Sequence, residues 1–145
     1  MKTFKTEAAK VAALIKAELK EKFPQTSFSV KSSTFSGGDD VSIHYTYSET
    51  APRKKEVATI AEKFKAGYFN SSEDIYEYTN RTTGPTVKWT DVVVNYDALY
   101  VTMTPVVQEQ WGFTQEEKEN PNTYSERLHA FPSSFIRSKI LEQFE

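Results

Sequence analysis

Few residues of this chain have the type and spacing that chemistry needs. His44 and His129 are far apart in sequence and match neither HExxH nor HxH spacing, so they do not make a metal site. Asp39-Asp40 and Glu73-Asp74 are the carboxylates that could gather a divalent cation, because hard cations prefer carboxylate oxygens. A small metal-dependent hydrolase using Asp39, Asp40 and Glu73 is therefore one reading. Against it, Asp39-Asp40 directly follow Gly37-Gly38, where aspartate is favoured for local hydrogen bonding to turn backbone. Ser36-Gly37-Gly38 is no phosphate loop, since neither a GK[ST] sequence nor a helix follows it. Ser29 and Ser33 have no base at a meaningful spacing. The chain has no cysteine, which removes disulfides, thiolate zinc ligands and a cysteine nucleophile. No catalytic, metal or cofactor residue is assigned, and the balance leans away from an enzyme.

Binding has more to work with. Lys31, Arg53, Lys54, Lys55 and Lys63 are candidates for contacting a phosphate backbone, with Tyr45, Tyr47, Tyr68 or Tyr76 to stack bases. Tyr96, Trp111, Phe113, Glu116, Glu117 and Tyr124 form a second set, of the aromatic and charged types found at protein–protein interfaces. Charge separates the two sets. Residues 1–65 hold 12 Lys/Arg and 8 Asp/Glu, a balance of +4, whereas residues 66–145 hold 6 and 12, a balance of −6. The near-neutral total of −2 argues against strong nonspecific polyanion binding by the whole chain. A protein partner is the first expectation and nucleic acid the alternative.

These side chains need a scaffold. The 145 residues suit one domain, and a hydrophobic share of 38% with 14% aromatics is ample for a core. No apolar run has the length of a membrane span, and Met1-Lys2-Thr3-Phe4 leads into charged sequence unlike a signal peptide, so a cytoplasmic protein without membrane contact is expected. Ala8, Val11, Ala12, Ile15, Leu19 and Phe23 recur at helical steps behind Thr6, a candidate N-cap, and Pro24 ends that helix. Alternation predicts strands over 27–35 and 41–47, joined as a hairpin through residues 36–40. A second helix is expected from Ala51-Pro52, with Val57, Ile60, Ala61 and Phe64 inward and Gly67 at its end. Strands follow at 75–79, 87–95 and 99–104, with an exposed turn at 80–85 and the last pair turning at Tyr96-Asp97. Thr114 and Glu117 have capping-box spacing for a short helix, and Ile136, Ile140 and Phe144 predict a closing helix over 133–144. The order α-β-β-α-β-β-β-α makes an α+β domain with a mainly antiparallel sheet packed against helices.

Two stretches carry a resemblance. One runs from Leu14–Phe23 through Phe28-Ser29-Val30-Lys31-Ser32-Ser33-Thr34-Phe35-Ser36-Gly37-Gly38 to Val41–Tyr47. The other runs from Glu56-Val57 through Phe64-Lys65-Ala66-Gly67-Tyr68-Phe69 to Asp74-Ile75-Tyr76-Glu77-Tyr78. In that order, over about 9–79, they resemble the large polyvalent protein-associated domain 29 family. Ser48–Lys55 is longer than the family's turn, and Ala66-Gly67 stands where the family has a glycine pair. The resemblance implies a phage or mobile-element setting, with a non-enzymatic accessory protein that binds a host or element macromolecule, plausibly against a host defence. It brings no catalytic residue set, and it implies turn and packing roles for Gly37, Gly38, Tyr76 and Tyr78. Residues 80–145 are an extension outside it.

Overall fold

The computed structural model describes residues 6–80 and 84–144, so the sequence-predicted features at Met1–Phe4 and at 81–83 of the 80–85 turn lie outside the described residues. The chain is α+β and divides into two compact units, Met1–Asn95 and Tyr96–Glu145.

The first unit begins with helix α1 (Glu7–Lys22). Thr6 caps it as its composition suggests, the hydroxyl accepting the Ala9 N–H at 3.1 Å. Ala8, Val11, Ala12, Ile15 and Leu19 are its buried stripe. Strands β1 (Ser29–Phe35) and β2 (Gly38–Thr46) form the expected antiparallel hairpin, pairing Phe35 with Gly38 across a two-residue turn. That turn holds Gly37 at φ +96°, a backbone region that costs glycine little. Val41, Ile43 and Tyr45 of β2 face the helices, and the Tyr45 hydroxyl donates to the Pro52 carbonyl at 2.8 Å. Helix α2 (Lys54–Glu62) adds Val57, Ile60 and Ala61 to the same core, and the Glu56 carboxylate accepts the Arg53 N–H at its start.

Gly67 does not end this helix. It opens a strand that the periodicity missed, β3 (Gly67–Asn70), paired antiparallel with β4 (Ile75–Tyr78). A Cβ on Gly67 would stand 1.8 Å from the Glu77 carbonyl oxygen, so this position has room only for hydrogen. Strand β5 (Trp89–Asn95) then pairs parallel with β2, completing the three-stranded order β1-β2-β5. Two of the three ladders are antiparallel. The parallel one corrects the expectation that β5 would turn back on a partner at 99–104.

That partner strand does not exist. Residues 99–104 lie within helix α3 (Asp97–Gln110), the first element of the second unit. Leu99, Val101 and Met103 alternate, but Leu99, Met103 and Val107 also fall at steps of four. The structure uses the second spacing: Leu99 and Val107 are buried and Val101 is 77% exposed. Thr102 and Thr104 turn their hydroxyls back onto the Ala98 and Tyr100 carbonyls, which satisfies these polar groups within the helix. The short helix α4 (Gln115–Glu119) and closing helix α5 (Pro132–Phe144) follow as expected, α5 burying Ile136 and Ile140.

Replacing Gly67 with alanine would force β3 and β4 apart and is expected to cost about 1–3 kcal/mol, the usual range for overpacking. Urea unfolding of Gly67→Ala beside the wild type measures it, and an unchanged midpoint would contradict the close approach.

Candidate functional site

The acidic aromatic surface of the second unit is assembled around one carboxylate. Helix α3 ends at Gly112, whose φ of +60° is the left-handed geometry favoured just past a helix end. Thr114 caps α4 through a reciprocal box: its hydroxyl accepts the Glu117 N–H at 3.2 Å, and Glu117 accepts the Thr114 N–H at 2.8 Å. The same carboxylate takes the Ser125 hydroxyl at 3.0 Å and the Arg127 guanidinium at 2.5 Å. Arg127 reaches on to the Trp111 and Gly112 carbonyls, tying residues 121–131 back to the end of α3. A cleft of about 440 Å³ opens beside this network, lined by Glu116, Asn120, Tyr124, Glu126 and their neighbours. Tyr124, 54% exposed, stands edge-on to Phe131 with ring centroids 5.9 Å apart.

Arg127 first, then the Thr114 N–H, holds the Glu117 carboxyl down at about 2, well below its ordinary value near 4.5. The interactions that favour its charged form therefore stabilise the fold above pH 4.5 and fade as the pH falls toward 2. The Arg127 side chain is 48% exposed, so solvent screens the pair.

The six residues expected to meet a protein partner separate into two groups. Tyr96 and Phe113 are buried, and Glu117 is nearly so and serves as the loop's fastener. Trp111, Glu116 and Tyr124 are exposed. The Trp111 ring meets Phe135 edge-on at 5.2 Å, and the Lys139 ammonium lies 5.0 Å from the Trp111 ring centre.

The basic candidates are not on one face. Lys31 pairs in register with Ser42, on the side of the sheet away from buried Val41 and Ile43, whereas Arg53, Lys54 and Lys55 begin the helix whose buried residues share a core with them. Lys63 gives its ammonium to Glu18 at 2.5 Å. Of the stacking candidates, Tyr45 is buried, Tyr47 and Tyr76 are half-buried and Tyr68 is exposed. The carboxylates suggested for a metal are engaged separately. Asp39 accepts the Lys88 N–H at 2.8 Å and Asp40 accepts the Ser33 hydroxyl at 2.6 Å. Asp74 sits at φ +54° in the β3–β4 turn. Among the described residues no group of three or more His, Asp or Glu is placed to hold a metal ion.

A cluster that residue types did not suggest joins distant parts of the first unit. Trp89 meets Tyr76 at 5.1 Å and Phe69 at 6.2 Å, and Tyr76 meets Tyr78 at 4.9 Å. The Lys88 ammonium lies 5.0 Å from the centre of the Tyr76 ring and donates to the Gly37 carbonyl at 2.8 Å, while the Tyr76 hydroxyl donates to the Lys88 carbonyl. A Cβ on Gly38 would come within 3.0 Å of the Lys88 side chain and 3.4 Å of Trp89. The Gly37-Gly38 and Tyr76-Glu77-Tyr78 motifs thus converge on Lys88-Trp89. The sequence pointed to it only through the turn and packing roles that the resemblance implies for Gly37, Gly38, Tyr76 and Tyr78; Lys88 and Trp89 carried no signal of their own.

These features define an α+β protein whose distinctive groups are exposed aromatic and charged surfaces. The family model for large polyvalent protein associated domain 29 matches residues 6–107, and the chain belongs to that family, making it a phage- or mobile-element-associated protein. The match reaches past Thr79 through β5 into α3, so the family region is longer than the motifs marked out and leaves 108–145 outside it. No curated protein and no solved structure matches the chain. No helix among the described residues is long and apolar enough to cross a membrane.

Glu117→Gln is expected to lower the melting temperature at pH 7, with the gap from wild type closing as pH approaches 2.5. Thermal unfolding across that range checks it; a gap independent of pH would mean that the carboxylate's charge adds nothing.

Proposed function

We propose that this protein is a non-enzymatic accessory factor of a phage or mobile element, acting by binding a protein partner, with interference in a host defence as the purpose. The observation that carries the reading is the Tyr124–Phe131 pair, two aromatic rings left about half exposed beside Glu116 and Glu126. Large aromatic side chains are the residue type on which binding energy concentrates, and a charged rim adds selectivity and encounter rate. The second unit carries 8 Asp/Glu against 4 Lys/Arg, so a basic partner surface complements it. The dispersal of Lys31, Lys63 and the α2 basic residues gives the nucleic-acid alternative less support.

Capture from a lysate of host cells, with the full chain as bait, tests the reading. One discrete partner should be retained by wild type and by Lys54→Glu/Lys55→Glu, and lost with Tyr124→Ala/Glu116→Lys. Retention by the last variant overturns the site. Salt-dependent DNA or RNA binding abolished by Lys54→Glu/Lys55→Glu would put the nucleic-acid function in its place.

A further inference from the structure

The β3–β4 hairpin has two unlike faces. Strand alternation puts Gly67, Phe69, Tyr76 and Tyr78 on one side, and Tyr68, Asn70, Ile75 and Glu77 on the other. The first side rests on Trp89, and there a cation is already held: Lys88 lies 5.0 Å from the Tyr76 ring centre and 5.9 Å from that of Trp89. The second side has no such occupant, although it carries similar groups. Tyr68 and Ile75 are each about half exposed. The Tyr68 hydroxyl donates to the Glu77 carboxylate, fixing ring and charge side by side. From Gly67 to Tyr78 the hairpin carries Glu73, Asp74 and Glu77 and no lysine or arginine.

We infer that the outward face of the β3–β4 hairpin is a docking surface for an arginine-rich segment of a protein partner, held by guanidinium groups against Tyr68 and the Glu77 carboxylate. Three observations select that occupant. The negative charge of Glu73, Asp74 and Glu77 favours a cation and repels the phosphates of nucleic acids and acidic lipids. Guanidinium is planar and weakly hydrated, so it stacks on a tyrosine and pairs with a carboxylate better than ammonium does. The hairpin is also a two-stranded sheet that no third strand joins among the described residues. An extended segment can therefore add main-chain hydrogen bonds along its edge. This surface shares no residue with Tyr124 and its cleft, and it stands or falls on its own residues.

Fluorescence anisotropy of the full chain with labelled nona-arginine, nona-lysine and a nine-residue oligo-dT tests the assignment. Nona-arginine should bind at low salt, more tightly than nona-lysine, and weaken roughly tenfold with Tyr68→Ala or with Glu77→Gln/Asp74→Asn. The second variant keeps the hairpin's shape, because asparagine accepts the left-handed backbone at residue 74. Tyr124→Ala and Glu116→Lys should leave this binding unchanged. No binding of nona-arginine overturns the proposal, as does equal binding of the two peptides. Loss only with Glu116→Lys would move the cation to the second unit, and oligo-dT binding lost in Tyr68→Ala would make the surface one for single-stranded nucleic acid; either result also overturns it.

Discussion

The first unit depends on β2 being paired along both edges. Its neighbour β1 arrives by a two-residue turn and costs the chain little to bring in. Its other neighbour, β5, runs parallel, so the chain must cross from Thr46 to Trp89 before the ladder can form. Helix α2 and the β3–β4 hairpin occupy that crossover, and α2 packs against β5, the strand to which the crossover leads. The start of the parallel ladder is tied by one charge-assisted bond, from the Lys88 N–H to Asp39. An aspartate suggestive of metal chemistry is thereby spent on register.

The aromatic cluster follows from that tie. With Lys88 beside the β1–β2 turn, Trp89 faces the hairpin; Gly67 leaves room only for hydrogen against the Glu77 carbonyl, and Gly38 sits close against the Lys88 side chain. The motifs that mark the family are the parts that close this knot. What remains outward is the other side of the same hairpin, together with the Tyr124–Phe131 pair in the second unit. Both are aromatic surfaces next to acids. Among the described residues no group of three or more His, Asp or Glu is placed to hold a metal ion.

Charge was legible in the sequence as a sum but not as a surface. Counted by unit, 1–95 carries +2 and 96–145 carries −4, so the contrast read at residue 65 is diluted once β3, β4 and β5 join the basic part. The acids of 73–77 belong to the first unit and form its own negative hairpin. Exposure could not be read from residue type either. Tyr96 and Phe113 have the same composition signature as Trp111 and Tyr124, yet helix packing buries the first two and leaves the others open. Glu117 was legible as a capping partner through its spacing from Thr114; that Arg127 and Ser125 would converge on it depended on a loop returning from residues 121–131.

By itself the sequence determined the local elements whose periods were unambiguous: α1 and its Thr6 cap, the β1–β2 hairpin, α2, α4 and α5, and the family they announce in order. Each depends on interactions within a few residues, and local spacing encodes those fully. Tertiary structure decided the rest. Residues 99–104 satisfied both the strand and the helix period, and burial of Val107 selected the helix. Gly67 looked like a helix end because its reason, the Glu77 carbonyl, lies across a strand pair. The choice of β5 as β2's parallel partner, and the meeting of residues 37–38, 76–78 and 88–89, depend on contacts between segments tens of residues apart. Such contacts are set by which apolar faces can be buried together, a quantity that no local pattern contains.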